Sequence, residues 1–381
     1  MRTFKYYFFI LFSILRAHVR CFIGHGVVVS PTALLHELNE LEQQGIPASE
    51  RLYISASCPL LLPSHSALDQ AQEKTRIIGT TQRGIGPAYE DKIARRGLRL
   101  CDLLQPETLA EKLSILLSYH NFLLENYYKA PTIDYQKTLD TLLSDAQKIL
   151  PLLIDVPRTL KQYRKQDKKI IFEGAQGTFL DIDQGTYPHV TSSNTTAGAA
   201  SIGSGLGPRD FDYILAISKV YSTRVGQGIF PTELLNETGE QLRKEGKEFG
   251  SVTQRPRRCG WLDLVLLRRA LQINSVSGLC LTKLDVLDTL QSIRLCVAYR
   301  CASETLYDLP LNPTQLAECI PIYEEFPGWC ESTTESKDFA ALPINAQRYV
   351  QRIEELLEIP VVLLSVGPNR EEIITVNKTF F

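Results

Sequence analysis

GIGPAYEDKIAR, residues 84–95, is the stretch from which the rest of the chain can be read. A Gly-Ile-Gly-Pro turn runs into Ala-Tyr-Glu-Asp and then into Lys92 and Arg95. Glycines let backbone approach a ligand closely, and Pro87 stiffens the turn that presents it. Just upstream, GTTQR adds the hydroxyls of Thr80 and Thr81 and the cation of Arg83. Hydroxyls, bare amides and guanidinium groups in one loop suit a phosphate. Either half alone also reads as a polar Gly-Pro loop leading into a surface helix.

Working outward, apolar runs and helical periods alternate. Strands are predicted at 26–29, 51–55, 169–172, 278–281, 294–299 and 359–364. Helices are predicted at 32–44, 64–74, 261–274 and 346–357, with 107–150 helical in two pieces split near Pro131. Ser30-Pro31 caps the first helix, whose Leu34, Leu35, Leu38 and Leu41 share one stripe. This alternation predicts an α/β fold with a mainly parallel central sheet flanked by helices. Ligand loops then belong at the C-terminal ends of the strands.

Composition narrows the function. The chain has 381 residues, 44% hydrophobic and 22% charged, with a net charge of -2, which gives no global argument for nucleic acid or an anionic membrane. Nine cysteines without a CxxC pair, and six histidines without an HExxH pattern, argue against a disulfide framework and against zinc. Free thiols in a reducing cytosol fit instead. The opening MRTFKYYFFILFSIL has cations before a short apolar run, with no small-residue cleavage site after it and too few apolar residues for a membrane span. It reads as an atypical N-terminal segment over 1–13.

Three further motifs follow predicted strands. In FEGAQGTFLDIDQGTYPHVTSSNTTAG, 172–198, glycines flank Gln176, whose amide presents donor and acceptor together and suits a purine edge. Thr191 opens a dense hydroxyl-amide run in the same segment. In SVTQRPRRCGWLD, 251–263, Arg255, Arg257 and Arg258 around Pro256 can clamp carboxylates bidentately. In LTKLDVLD, 281–288, the Thr-Lys-x-Asp pattern offers Asp285 as an acceptor for the N1–H and N2–H₂ of guanine, with Lys283 packing on the base. Ser365-Val366-Gly367-Pro368 ends the last predicted strand.

Taken together, these strings resemble the adenylosuccinate synthetase family, over 14–381. The resemblance implies a single P-loop-NTPase-like domain across that range, with a helical subdomain at about 107–165. It implies a ligase that makes adenylosuccinate from IMP and L-aspartate at the expense of GTP, with Mg²⁺, in AMP synthesis. By the same resemblance Thr81, Arg95, Gln176, Thr191 and Arg255 hold IMP. Ser251, Val252, Thr253, Gln254, Arg255, Pro256 and Arg257 form the aspartate loop. Arg257, Lys283, Leu284, Asp285, Ser365, Val366 and Gly367 hold GTP. Arg95 reaches the partner's site in a homodimer, which is cytoplasmic. Gln254 stands where the family usually has glycine.

The family's opening strand, its Gly-rich phosphate loop and its paired-His segment are not found by pattern in this chain. The expectation is therefore of a truncated family member without the family's catalytic Asp, His and Mg²⁺ ligands, with Lys92 as the one catalytic candidate. Its activity is expected to be impaired. The alternative is a non-catalytic remnant that binds IMP or pairs with an intact subunit.

Overall fold

The computed structural model describes residues 12–75, 79–250, 255–310 and 312–377. The N-terminal segment before residue 12, residues 251–254 of the predicted aspartate loop and the last four residues lie outside them. Where the sequence suggests one domain over 14–381, the chain splits into two compact units. The first unit is Met1–Gly177, Asp181–Asp183 and Val190–Asp210; the second is Thr178–Leu180, Gln184–His189 and Phe211–Phe381.

In the first unit, β1 (Cys21–Ile23), β2 (Leu52–Ser55) and β3 (Leu153–Ile154) form a parallel sheet in that order. Helices α1 (Pro31–Gln43), α2 (Pro63–Thr75), α3 (Ile85–Ala94), α4 (Pro106–Phe122), α5 (Tyr135–Ile149), α6 (Val156–Lys165) and α7 (Gly198–Ser204) complete it. Ser30 caps α1 by accepting from the Ala33 N–H, Pro31 needs no such partner, and Leu34, Leu35, Leu38 and Leu41 are buried. Asp134 and Asp155 cap α5 and α6 in the same way. The predicted helical subdomain has no core of its own: Leu109, Leu113 and Leu116 of α4 and Leu142 of α5 share one cluster with Ile23 and Ile54 of the sheet.

Two strand expectations fail here. The predicted strand at 26–29 is a turn, with the Val27 N–H bonded to the Gly24 carbonyl, and the strand lies earlier, at β1. Gly24 explains the shift, since a Cβ there would lie 2.4 Å from the Gly203 carbonyl oxygen of α7. Val29 keeps only an isolated bridge to Leu60. The predicted strand at 169–172 has no ladder partner among the described residues, and Ile171 is 90% exposed.

The second unit adds β4 (Leu215–Lys219), β5 (Ser222–Arg224), α8 (Glu237–Glu245), β6 (Arg258–Gly260), β7 (Leu262–Asp263), α9 (Leu264–Ile273), β8 (Gly278–Thr282), β9 (Ser292–Cys301), β10 (Glu304–Leu306), α10 (Pro313–Glu318), β11 (Ile320–Pro327), α11 (Ile344–Leu357), β12 (Val361–Ser365) and β13 (Ile373–Thr375). One sheet runs β13-β12-β8-β4, parallel except for its β13 edge. A second runs β10-β9-β11 antiparallel, with β7 parallel to β9. The strands of this α/β fold are thus mixed rather than set in one mainly parallel sheet. The helix predicted from Trp261 starts at Leu264, because Asp263 accepts from the Leu266 N–H as its cap while 258–263 pair as strands.

Candidate functional site

In the first unit, α2 acts as a template for the loop that carries Thr81. Asp69 of α2 is 5% exposed, and it accepts from the Thr80 hydroxyl at 3.0 Å and from the Gly84 N–H at 2.8 Å. Ser66 donates to the Arg83 carbonyl at 3.0 Å. Gly84 has φ 84°, and a Cβ there would meet the His65 carbonyl carbon and the Ser66 nitrogen at 2.5 Å, so only glycine fits. These bonds leave Thr81 and Gln82 exposed at the turn.

At the other end of α3, Asp91 anchors the turn that carries Arg95. The Asp91 carbonyl accepts from the Arg96 and Gly97 N–H groups, both at 3.1 Å. Its carboxylate accepts from Arg96 Nε at 2.5 Å, His65 Nε2 at 2.8 Å and His120 Nε2 at 3.0 Å. Burial alone pushes the Asp91 pKa up, but the His120 and His65 hydrogen bonds outweigh it and hold the carboxyl well below the usual range. Arg95 caps α3 in the left-handed conformation, φ 62°, with its side chain exposed.

His65, Asp91 and His120 are the three-group constellation with metal-ligand proximity among the described residues. Its proton pattern does not suit a metal. His65 Nδ1 accepts the Leu62 N–H at 2.9 Å, so the ring proton sits on Nε2, the atom facing Asp91. A cation on that nitrogen would require an imidazolate. Nor does a set of two nitrogens and one oxygen fit Mg²⁺, which takes oxygen ligands.

Lys92 is half-buried beside Arg99. Burial first, and the Arg99 charge second, lower its pKa. Both line a cavity of about 530 Å³ with His25, Ser55, Ser57 and Asp155. The 172–198 segment is organised by Asp181, which is 1% exposed and accepts from the Thr195 N–H at 2.5 Å and the Asp183 N–H at 2.9 Å. Gln176 is exposed in the left-handed region, φ 61°. Thr191 is half-buried, next to Ser192, whose Oγ would lie 3.2 Å from a Cβ on Gly86. The first unit therefore brings the start of α3 to the Thr191 run.

In the second unit the motifs meet at strand ends. β4, β8 and β12 are parallel neighbours, with Lys219 opposite Thr282 and Leu364 opposite Leu281. Their C-terminal ends thus present Lys219, then Lys283 to Asp285, then Ser365 to Gly367 side by side. Lys283 has φ 65° and leads into a short 3₁₀ turn, Leu284–Leu287, with Leu284 buried. Burial pushes the Asp285 pKa up. Ser365 donates to the Gly367 carbonyl at 2.8 Å, and Val366 is buried.

The base of the predicted aspartate loop is a paired stem. Phe249 bridges Pro256, and the Gly250 N–H donates to the Arg255 carbonyl at 2.8 Å. Arg255 is exposed, whereas Arg257 Nη1 reaches Glu248 at 3.2 Å and its buried Nε has no hydrogen-bond partner among the described residues. Arg258 is not part of a substrate clamp: its guanidinium is bidentate on Glu233, at 2.7 and 2.5 Å. Of the IMP candidates, Thr81, Arg95, Gln176 and Thr191 belong to the first unit and Arg255 to the second. Ser251, Val252, Thr253 and Gln254 lie outside the described residues. Sequence reasoning missed Asp69, Asp91, Glu248 and Lys219. Asp91 lies inside the quoted 84–95 string, but Glu248 and Lys219 belong to no motif and gain their partners only through folding.

A family model for adenylosuccinate synthetase matches residues 3–374. The chain belongs to the adenylosuccinate synthetase family. It is 56% identical over 371 residues to the adenylosuccinate synthetase of Pseudomonas paraeruginosa (strain DSM 24068 / PA7), covering 97% of this chain and 86% of that one. It is 57% identical over 373 residues to that of Halorhodospira halophila (strain DSM 244 / SL1), with the same coverage. The structure of fully ligated adenylosuccinate synthetase from Plasmodium falciparum matches with TM-score 0.90 and 37% identity, over 96% of this chain and 86% of that one. A cyanophage S-2L succinoaminodeoxyadenylate synthetase shares the fold at TM-score 0.53 and 17% identity.

Membership makes this a chain of a GTP-binding ligase family of purine and AMP synthesis. Four expectations gain no support. The family match begins at residue 3, not at 14, and spans nearly the whole chain, so truncation of the family's first strand and phosphate loop gains no support. Impaired activity and missing Mg²⁺ ligands, which rested on that truncation, are not supported either, and the non-catalytic remnant is not favoured. Among the described residues no helix is long and apolar enough to cross a membrane.

Proposed function

We propose that this chain ligates IMP and L-aspartate into adenylosuccinate with GTP as the energy source. The observation that carries the reading is the row of strand ends in the second unit, where Lys283 to Asp285 stand beside Ser365 to Gly367. Asp285 accepts from guanine N1–H and N2–H₂, a pair that adenine cannot supply, while the Lys283 stem and the Ser365-Val366-Gly367 backbone flank the base. Arg257, with its side chain 29% exposed, turns its guanidinium to a phosphate or carboxylate oxygen. Thr81, Arg95, Gln176, Thr191 and Arg255 hold IMP, with Arg95 lent to the partner subunit of a homodimer. The loop from Ser251 to Arg257 clamps L-aspartate. Lys92, its pKa lowered, serves as the catalytic candidate of the first unit. Mg²⁺ supplies charge neutralisation on the GTP phosphates. All nine cysteines are unpaired, which fits a cytoplasmic enzyme.

The test is adenylosuccinate formation by the purified chain from IMP, L-aspartate, GTP and Mg²⁺. Turnover that requires all three substrates is expected. A folded sample that makes no product would overturn the reading.

A further inference from the structure

Glu248 belongs to no motif, yet it meets more charged groups than any residue the sequence singles out. Its side chain is 2% exposed. Lys219 Nζ donates to both of its carboxylate oxygens at 2.8 Å, and the Tyr221 hydroxyl donates at 2.5 Å. Arg257 Nη1 donates at 3.2 Å, and Lys283 Nζ forms an ion pair at 3.4 Å while also donating to the Gly246 carbonyl. The backbone repeats the link, since the Arg257 N–H donates to the Glu248 carbonyl at 2.9 Å. Glu248 therefore stands at the root of the loop from Ser251 to Arg257 and also against the turn that precedes Asp285.

We propose that Glu248 is a positioning residue, whose buried carboxylate fixes Arg257 of the aspartate loop and Lys283 of the guanine-reading turn in one frame. The inference rests on the assignment of Lys283 to GTP made above. One carboxylate against three cations leaves an excess of positive charge, which a phosphate or carboxylate ligand offsets. Arg257 spends one amino group on Glu248, and its side chain stays 29% exposed to meet such a ligand. Without the carboxylate, Lys219, Arg257 and Lys283 repel one another, and Lys283 is held by the Gly246 carbonyl alone against that repulsion. Tyr221 touches the same carboxylate but neither Arg257 nor Lys283 through it, so it separates a positioning role from simple packing.

The test is calorimetric titration of GTP with Mg²⁺ into the full chain and its variants, with circular dichroism as the check on folding. Glu248→Gln is expected to weaken GTP about tenfold, comparably to Lys283→Ala. The double variant should be within about twofold of the weaker single, because both changes act through one contact. Tyr221→Phe should lower the melting temperature but leave GTP affinity within about twofold of the parent. A folded Glu248→Gln with parental affinity, beside a weakened Lys283→Ala, overturns the proposal. So does full additivity, or a Tyr221→Phe that loses as much as Glu248→Gln. If Glu248→Gln does not fold, Glu248→Asp decides: about threefold weaker supports the proposal and parental affinity contradicts it. A Lys283→Ala variant that binds GTP like the parent would instead remove the guanine assignment, and the inference with it.

Discussion

Each unit is organised round a buried carboxylate, and the two are held in opposite ways. Asp91 in the first unit is bound by two buried imidazoles and one half-buried guanidinium. Glu248 in the second is bound by three cations with side chains 22 to 36% exposed, and by a tyrosine hydroxyl. The first arrangement is closed: both imidazoles are buried against the carboxylate, and only Arg96 has a second acceptor, the exposed Glu90 at 3.0 Å. The second is open, because its cations can turn to a ligand while keeping Glu248. Closed hubs carry stability, and open ones carry binding.

Asp91→Ala should therefore show the largest effect on folding. It strands the buried N–H groups of His65 and His120 and leaves Arg96 only its exposed Glu90 partner, a loss of about 3–5 kcal/mol. Urea unfolding measures it; a loss below about 1 kcal/mol would erase the contrast. Glu248→Gln should cost less stability, about 1–2 kcal/mol, since water can reach its partners. Asp69→Ala should rank next. It frees the Gly84 N–H and the Thr80 hydroxyl, and is expected to weaken IMP binding about tenfold for about 1–2 kcal/mol of stability. Calorimetry with IMP checks it, and unchanged affinity would remove the template role of α2.

The smallest effect is on pH dependence, and it differs in sign between the units. Burial first lowers the His65 pKa, so the folded ring stays neutral while the unfolded one protonates near its ordinary value. Stability present above about pH 6.5 is then lost as pH falls through that value toward the folded pKa. In the second unit Glu248 is held below the carboxylate range, so its contribution persists until pH falls below about 4.5. Burial pushes Asp263 up to about 6, so its protonation adds stability as pH falls toward 4. Hydrogen exchange at pH 7 and pH 5.5, corrected for intrinsic rates, should show α2, α3 and α4 losing protection while β8 and α9 keep theirs. Equal losses in both units would contradict the assignment.

The sequence makes local signals plain. The Ser30-Pro31 cap, the Leu34 to Leu41 stripe and the break near Pro131 appear as read, because each is decided within a turn or two. The strand misread at 26–29 depended on Gly203, far along the chain, and Ile170 to Phe172 have strand composition but no ladder partner among the described residues. The place of Lys283 and Asp285 just after β8, and of Ser365 at the end of β12, was legible because apolar runs mark those strands. Arg258 was misjudged because its carboxylate partner, Glu233, lies 25 residues away. Asp91, Glu248 and Lys219 had no signal of their own, since a buried ion pair is a property of packing.

The central claim is that the ends of β8 and β12 read guanine. Calorimetric titration of GTP and of ATP into the parent chain and into Asp285→Asn tests it most directly. The account predicts that the parent binds GTP at least about tenfold more tightly than ATP, and that Asp285→Asn loses this preference. Equal affinity of the parent for the two nucleotides, or a preference that survives in Asp285→Asn, would contradict it.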